Sequence, residues 1–135
     1  MSTSEFNLGP LPADERRREL WIQNAAGFIL FQDVRGWAIP RLDPDLDATA
    51  KAAALKAIDD TVYGLMMVLD GVTGGLGNSE YQVHLRTKVC LARKGSGEII
   101  QALDLMQGDG MCMGYHGWLQ GDFGNDPVAE AGNPS

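Results

Sequence analysis

Two cysteines in 135 residues are too few for a disulfide framework, and Cys90 and Cys112 stand at no metal-ligand spacing. Sequence does not say whether their sulfurs approach each other, so a single bridge stays open and the reducing cytoplasm is the expected location. No run of 18 apolar residues is present, as a membrane-spanning helix would need, and the first residues carry no signal-peptide pattern. Positive charge is scarce: 11 Lys and Arg stand against 18 Asp and Glu, a formal net charge of −7. Nucleic acid and anionic membranes attract Lys and Arg clusters, so neither is an expected partner. The one basic run, Arg16 to Arg18, is flanked by Asp14, Glu15 and Glu19 and reads as a solvated helix face. No internal repeat is found, and no motif sets the chain in a recognisable family.

What is present is enough for one core. A chain of this length with 44% hydrophobic and 21% charged residues suits a single domain that needs no staples. We expect a flexible arm over 1–11, a globular domain over 12–126 and a flexible tail over 127–135. Phe6 and Leu8 are the residues of the arm able to dock on the domain.

The strongest periodic signal lies at Ala48 to Leu69, where Leu55, Ile58, Val62, Leu65, Met66 and Leu69 fall within one helical stripe. Asp43, Asp45 and Asp47 precede it, where carboxylates favour the positive end of a helix. From Gly64 onward the run is apolar all round, so it needs a second cover. Asp59 flanks the stripe and is expected half-buried with a partner such as Arg or Tyr, whereas Asp60 points to solvent. A first helix is expected from Ala13 to about Phe31, with Trp21, Ile22, Ala25, Phe28 and Ile29 on one face. Gly36, Pro40 and Pro44 then make a connection that turns the chain back, with the two helices antiparallel.

Gly71 to Asn78 ends the second helix. The alternation of Tyr81, Val83, Leu85, Thr87, Val89 and Leu91 with more polar neighbours predicts a strand with one buried face. Lys94-Gly95-Ser96-Gly97 predicts a hairpin turn, and residues 98 to 105, ambiguous between helix and strand, are assigned as the partner strand. The expected fold is therefore α+β: two antiparallel helices packed on a small antiparallel sheet, with an ordered glycine-rich C-terminal segment.

That segment, Asp104 to Gly124, holds the candidate chemistry. Six glycines from Gly108 onward are interleaved with aromatics and methionines, a composition too apolar for a linker. Met111, Cys112, Met113 and His116 are soft ligands, but packing explains them better and no metal site is assigned. Cys112 and His116 would share a helix face as a nucleophile and base might, and Asp122 could serve as an acid or base. Tyr115, Trp118 and Asp109 are the candidate ligand-binding residues. Asp104, Asp109, Asp122 and His116 have no hard-cation spacing. The glycines at 71–77 follow a helix and precede a strand, the reverse of a phosphate-binding loop, so nucleotide binding is rejected and no cofactor is expected. His84 is expected at the surface.

No complete catalytic set emerges. The favoured expectation is a noncatalytic acidic protein-binding domain, a bacterial inhibitor or immunity-type protein whose acidic surface meets a basic partner. The alternative is a small enzyme or ligand-binding domain with a pocket around Cys112, His116, Trp118 and Asp122. A homodimer through Gly64 to Leu69 or through Trp37 is a further expectation. Met66 or Leu69 is expected to meet Met111, Met113 or Trp118.

Overall fold

The computed structural model describes residues 3–108, 110–111 and 128–130. The first long helix, α1, spans Glu15–Leu30 and starts at Asp14, whose side chain accepts from the Arg17 amide at 3.0 Å. It does not stop where the sequence signals weaken. A π-helical turn, Phe31–Arg35, continues it, followed by a short helical piece, Gly36–Ala38, and a 3-10 turn, Ile39–Arg41. The expected connection over 33–44 is thus largely helical. Gly36 takes an ordinary right-handed conformation, and Pro40 lies at the start of the 3-10 turn, where its missing N–H costs nothing. The π turn packs against the second long helix.

That second helix, α2, spans Ala48–Leu69, the bounds its periodicity predicts. Asp47 caps it, accepting from the Ala50 amide at 2.8 Å, and Gly71 with φ +81° turns the chain out at its other end. Three two-stranded antiparallel ladders follow among the described residues, in place of one continuous sheet. The strand β1, Phe6–Leu8, pairs with β6, Val128–Glu130. A short hairpin joins β2, Leu76–Gly77, to β3, Gln82–Val83. The longest ladder joins β4, Lys88–Ala92, to β5, Ile99–Asp104, which settles residues 98–105 as strand. Gly95 and Gly97, both at positive φ, make the turn between them.

The expected long strand from Tyr81 to Ala92 is therefore broken at 84–87. Its first part pairs with β2 and its second with β5, and no single strand runs beside both. Its predicted buried face is buried only in part: α1 packs on β4 and β5 and leaves β3 bare. Arg18 contributes to that packing. Its Nε donates to Gln101 Oε1 on β5 at 2.8 Å, so the basic run is not wholly solvated.

The core is a cluster of Ala26, Phe31, Val62, Met66, Leu105 and Met111, with Leu30, Ile58, Tyr63, Leu69 and Val89 against it. The two helices meet there through Ala26 and Phe31 on one side and Val62 and Met66 on the other. Met66, fully buried, and Met111 share this cluster, so the apolar end of α2 receives its second cover from residues just after β5. Phe28, on the predicted face of the first helix, meets Phe6 of the arm edge-on at 5.1 Å between ring centroids.

Candidate interaction surface

Cys112, His116 and Asp122, the candidate catalytic residues, and Tyr115, Trp118 and Asp109, the candidate ligand-binding residues, lie outside the described residues. What is described is the anchor just before them. Gln23 on α1 is almost completely buried; its Oε1 accepts from the Gly110 amide at 2.8 Å, and Met111 behind it enters the core. Among the described residues, no three His, Cys, Asp or Glu side chains converge as a metal site would require. Cys90 is an exposed free thiol on β4.

Charged residues elsewhere behave as their positions in the helix dictate. Asp59 is half-buried and accepts from Arg35 Nε at 2.5 Å, tying α2 to the π turn, while Asp60 is exposed beside Lys56. The Lys56 ammonium is held above its usual range by its hydrogen bond to Asp60 and by that carboxylate's charge. Arg86 binds Asp104 across the 84–87 break, with its Nε 2.8 Å from Oδ2. That hydrogen bond, then the one from the Met106 amide, holds the Asp104 carboxyl below its usual range; the Arg86 and His84 charges act in the same sense, against a burial effect that raises it. His84 is exposed, as expected.

The surface has two features that oppose each other in charge. The first is an apolar hairpin. Leu76 and Val83 are direct partners in the β2–β3 ladder, and Tyr81 lies two residues before Val83 on the same face. Leu76, Tyr81, Val83 and Leu85 are 81%, 72%, 70% and 63% exposed, more than isolated surface hydrophobics need explaining away. A shallow, open, polar hollow of about 280 Å³ lies at the hairpin tip between Gly75 and Gln82. From Tyr81 to Gly97 the chain carries Arg86, Lys88, Arg93 and Lys94 and no acidic residue. Arg86 and Arg93 reach Asp104 and Glu98, whereas Lys88 and Lys94 have no ion pair among the described residues.

The second is an acidic lip at the entrance to α2. Asp43, Asp45 and Asp47 are all exposed, and among the described residues none has a cationic partner. Their positions are fixed by local hydrogen bonds: Asp43 Oδ1 accepts from the Asp45 amide at 2.9 Å, and Asp47 caps the helix. Beside the lip, Trp37 is 62% exposed, with the Arg41 guanidinium stacked 3.2 Å from its ring centroid. Trp37, expected from the sequence to pack against the helices, is instead exposed, and the bare hairpin was not foreseen either. Its signal in the sequence is the stretch at 81–97 without acid, inside a chain of net charge −7.

No helix among the described residues is long and apolar enough to cross a membrane. No family model, curated protein or solved structure matches the chain.

Proposed function

We propose that the protein is a noncatalytic protein-binding domain of the reducing cytoplasm, an inhibitor or immunity-type protein of a bacterium, whose acidic lip meets a basic protein. The observation that carries this reading is the row of exposed carboxylates at Asp43, Asp45 and Asp47, held in place by backbone hydrogen bonds and lacking cationic partners among the described residues. Carboxylates fixed in this way lose little side-chain freedom when a partner's cations arrive. The net charge of −7 adds a long-range field that speeds encounter with a basic surface. Exposed Trp37 beside the lip supplies the aromatic contact that protein interfaces favour.

The test is capture from the cells that make the protein, using the full chain as bait, followed by a salt titration of the captured complex. A basic partner whose affinity falls about tenfold or more between low and high salt is expected. An acidic partner, or one whose affinity ignores salt, contradicts the reading.

A further inference from the structure

We propose that the open edge of β4 binds an extended acidic segment of a partner protein by strand addition, so that the β4–β5 ladder gains a third strand. The proposal is independent of the lip: β4 reads the carboxylates of one segment, whatever the net charge of the protein that carries it. Among the described residues β4 pairs with β5 alone, and no strand lies along its other edge. The phase of the ladder fixes what that edge offers. The Leu105 amide donates to the Thr87 carbonyl and the Arg93 amide to the Glu98 carbonyl, and opposed residues of an antiparallel ladder alternate between bonded and unbonded pairs. Val89 and Leu91 therefore bond to β5, while the N–H and C=O groups of Lys88, Cys90 and Ala92 point outward, where an added strand takes them up.

Side chains and charge decide the occupant. Val89 and Leu91 are half-buried on the face that α1 covers, whereas Lys88, Cys90 and Ala92 are exposed on the other. An incoming strand sets alternate residues beside Val89 and Leu91, where apolar side chains fit, and the rest beside Lys88, where carboxylates fit. Lys88 is available, because Asp104 opposite it in the ladder is taken by Arg86 and the Met106 amide. Exposed Lys94 adds a cation in the turn after β4; neither lysine has an ion pair among the described residues, and no Asp or Glu occurs from Tyr81 to Gly97. Lysine at an open edge deters indiscriminate pairing, and a strand bearing carboxylates escapes that penalty. The net charge of −7 does not reverse the local sign, since exposed charges beyond a Debye length of about 8 Å are largely screened at physiological salt. A second copy is the poorer occupant. Two β4 edges laid together set cation against cation, and β5 offers no free carboxylate, because its Asp104 is paired with Arg86 and the adjoining Glu98 with Arg93.

The probe is a synthetic peptide of about eight residues, within the length of an ordinary strand, alternating valine and glutamate. A peptide alternating valine and lysine is the control. Residue-resolved amide hydrogen exchange, followed by NMR on the full-length protein, reads the edge directly. With the glutamate peptide at saturation, exchange at the Lys88, Cys90 and Ala92 amides is expected to slow at least about tenfold, while the Val89 and Leu91 amides, already bonded to β5, change little. The lysine peptide is expected to protect none of them. Lys88→Gln with Lys94→Gln is expected to weaken binding of the glutamate peptide about threefold to tenfold, with thermal unfolding to show that the fold is kept. Asp43→Asn with Asp45→Asn is expected not to weaken it. No binding of the glutamate peptide at about 1 mM overturns the proposal. Protection that misses the three outward amides overturns it as well, as does equal binding of the lysine peptide. Slow exchange at those amides in the protein alone, appearing only at concentrations where sedimentation shows self-association, makes a second copy the occupant and overturns it too.

Discussion

A Cβ added at Gly108 would lie 2.6 Å from the Gln23 carboxamide, closer than real Cβ contacts come. Gln23 cannot give way cheaply, because it is buried and holds the Gly110 amide. Gly108→Ala is therefore expected to destabilise the protein by about 1–3 kcal/mol, the usual cost of overpacking. Gln23→Leu, which leaves the Gly110 amide without its acceptor, should cost about as much. Urea unfolding of both variants checks this, and wild-type midpoints would show that Gln23 is not the anchor proposed. A second local effect concerns Asp104, whose carboxyl is held below the usual aspartate value of 3.8. A depressed folded value means that its contribution to stability is complete above the unfolded value and is lost as pH falls through the folded one. The window is thus below about pH 4. Arg86→Gln removes the leading cause, and an NMR titration of the Asp104 carboxyl is expected to show its midpoint rising toward the ordinary range. An unmoved midpoint would mean that the Arg86 contact does not persist in solution.

At the level of helices and strands, stability should follow the core. Met66→Ala removes a fully buried side chain and is expected to cost about 2–5 kcal/mol, while Leu65→Ala, at a position the sequence placed on the same stripe but which is 37% exposed, should cost much less. Equal losses from the two would contradict the assigned face of α2. Asp47→Ala deletes the helix cap and should cost about 1 kcal/mol, with Asp47→Asn near neutral because the amide oxygen still accepts from Ala50. Such features were legible in the sequence because they are local. The stripe from Leu55 to Leu69, the aspartate cap and Gly71 mark α2 within one stretch of chain, and the glycines at 95 and 97 mark the β4–β5 turn. Asp59 and Asp60 were separable for the same reason, being adjacent residues on different sides of one stripe. The π turn was not legible, since Gly36 and Pro40 mark breaks by type although their backbones here are helical. Nor was the fate of the alternating run at 81–91. Alternation shows which side chains share a face, but whether that face is covered depends on where α1 lands, and α1 lands on β4 and β5.

Across the molecule, the distribution of charge carries the functional account. A chain of net charge −7 keeps its lip carboxylates exposed at 43–47 and gathers four cations without acid between 81 and 97. The candidate pair Cys112 and His116 rests on their spacing in the sequence alone, and both residues fall outside the described part of the chain. The lip was legible as helix-capping aspartates, but not as a surface, because nothing local says whether a cation elsewhere in the chain will fold back onto it. The most direct test keeps the fold and removes only the charge. Asp43→Asn, Asp45→Asn and Asp47→Asn together preserve the turn acceptor and the cap while neutralising the lip. Calorimetric titration of the captured partner, across a range of salt, compares this triple variant with wild type. The expected result is at least about a tenfold loss of affinity at low salt and a shallower salt dependence. An unchanged affinity and slope would contradict the lip as the binding surface.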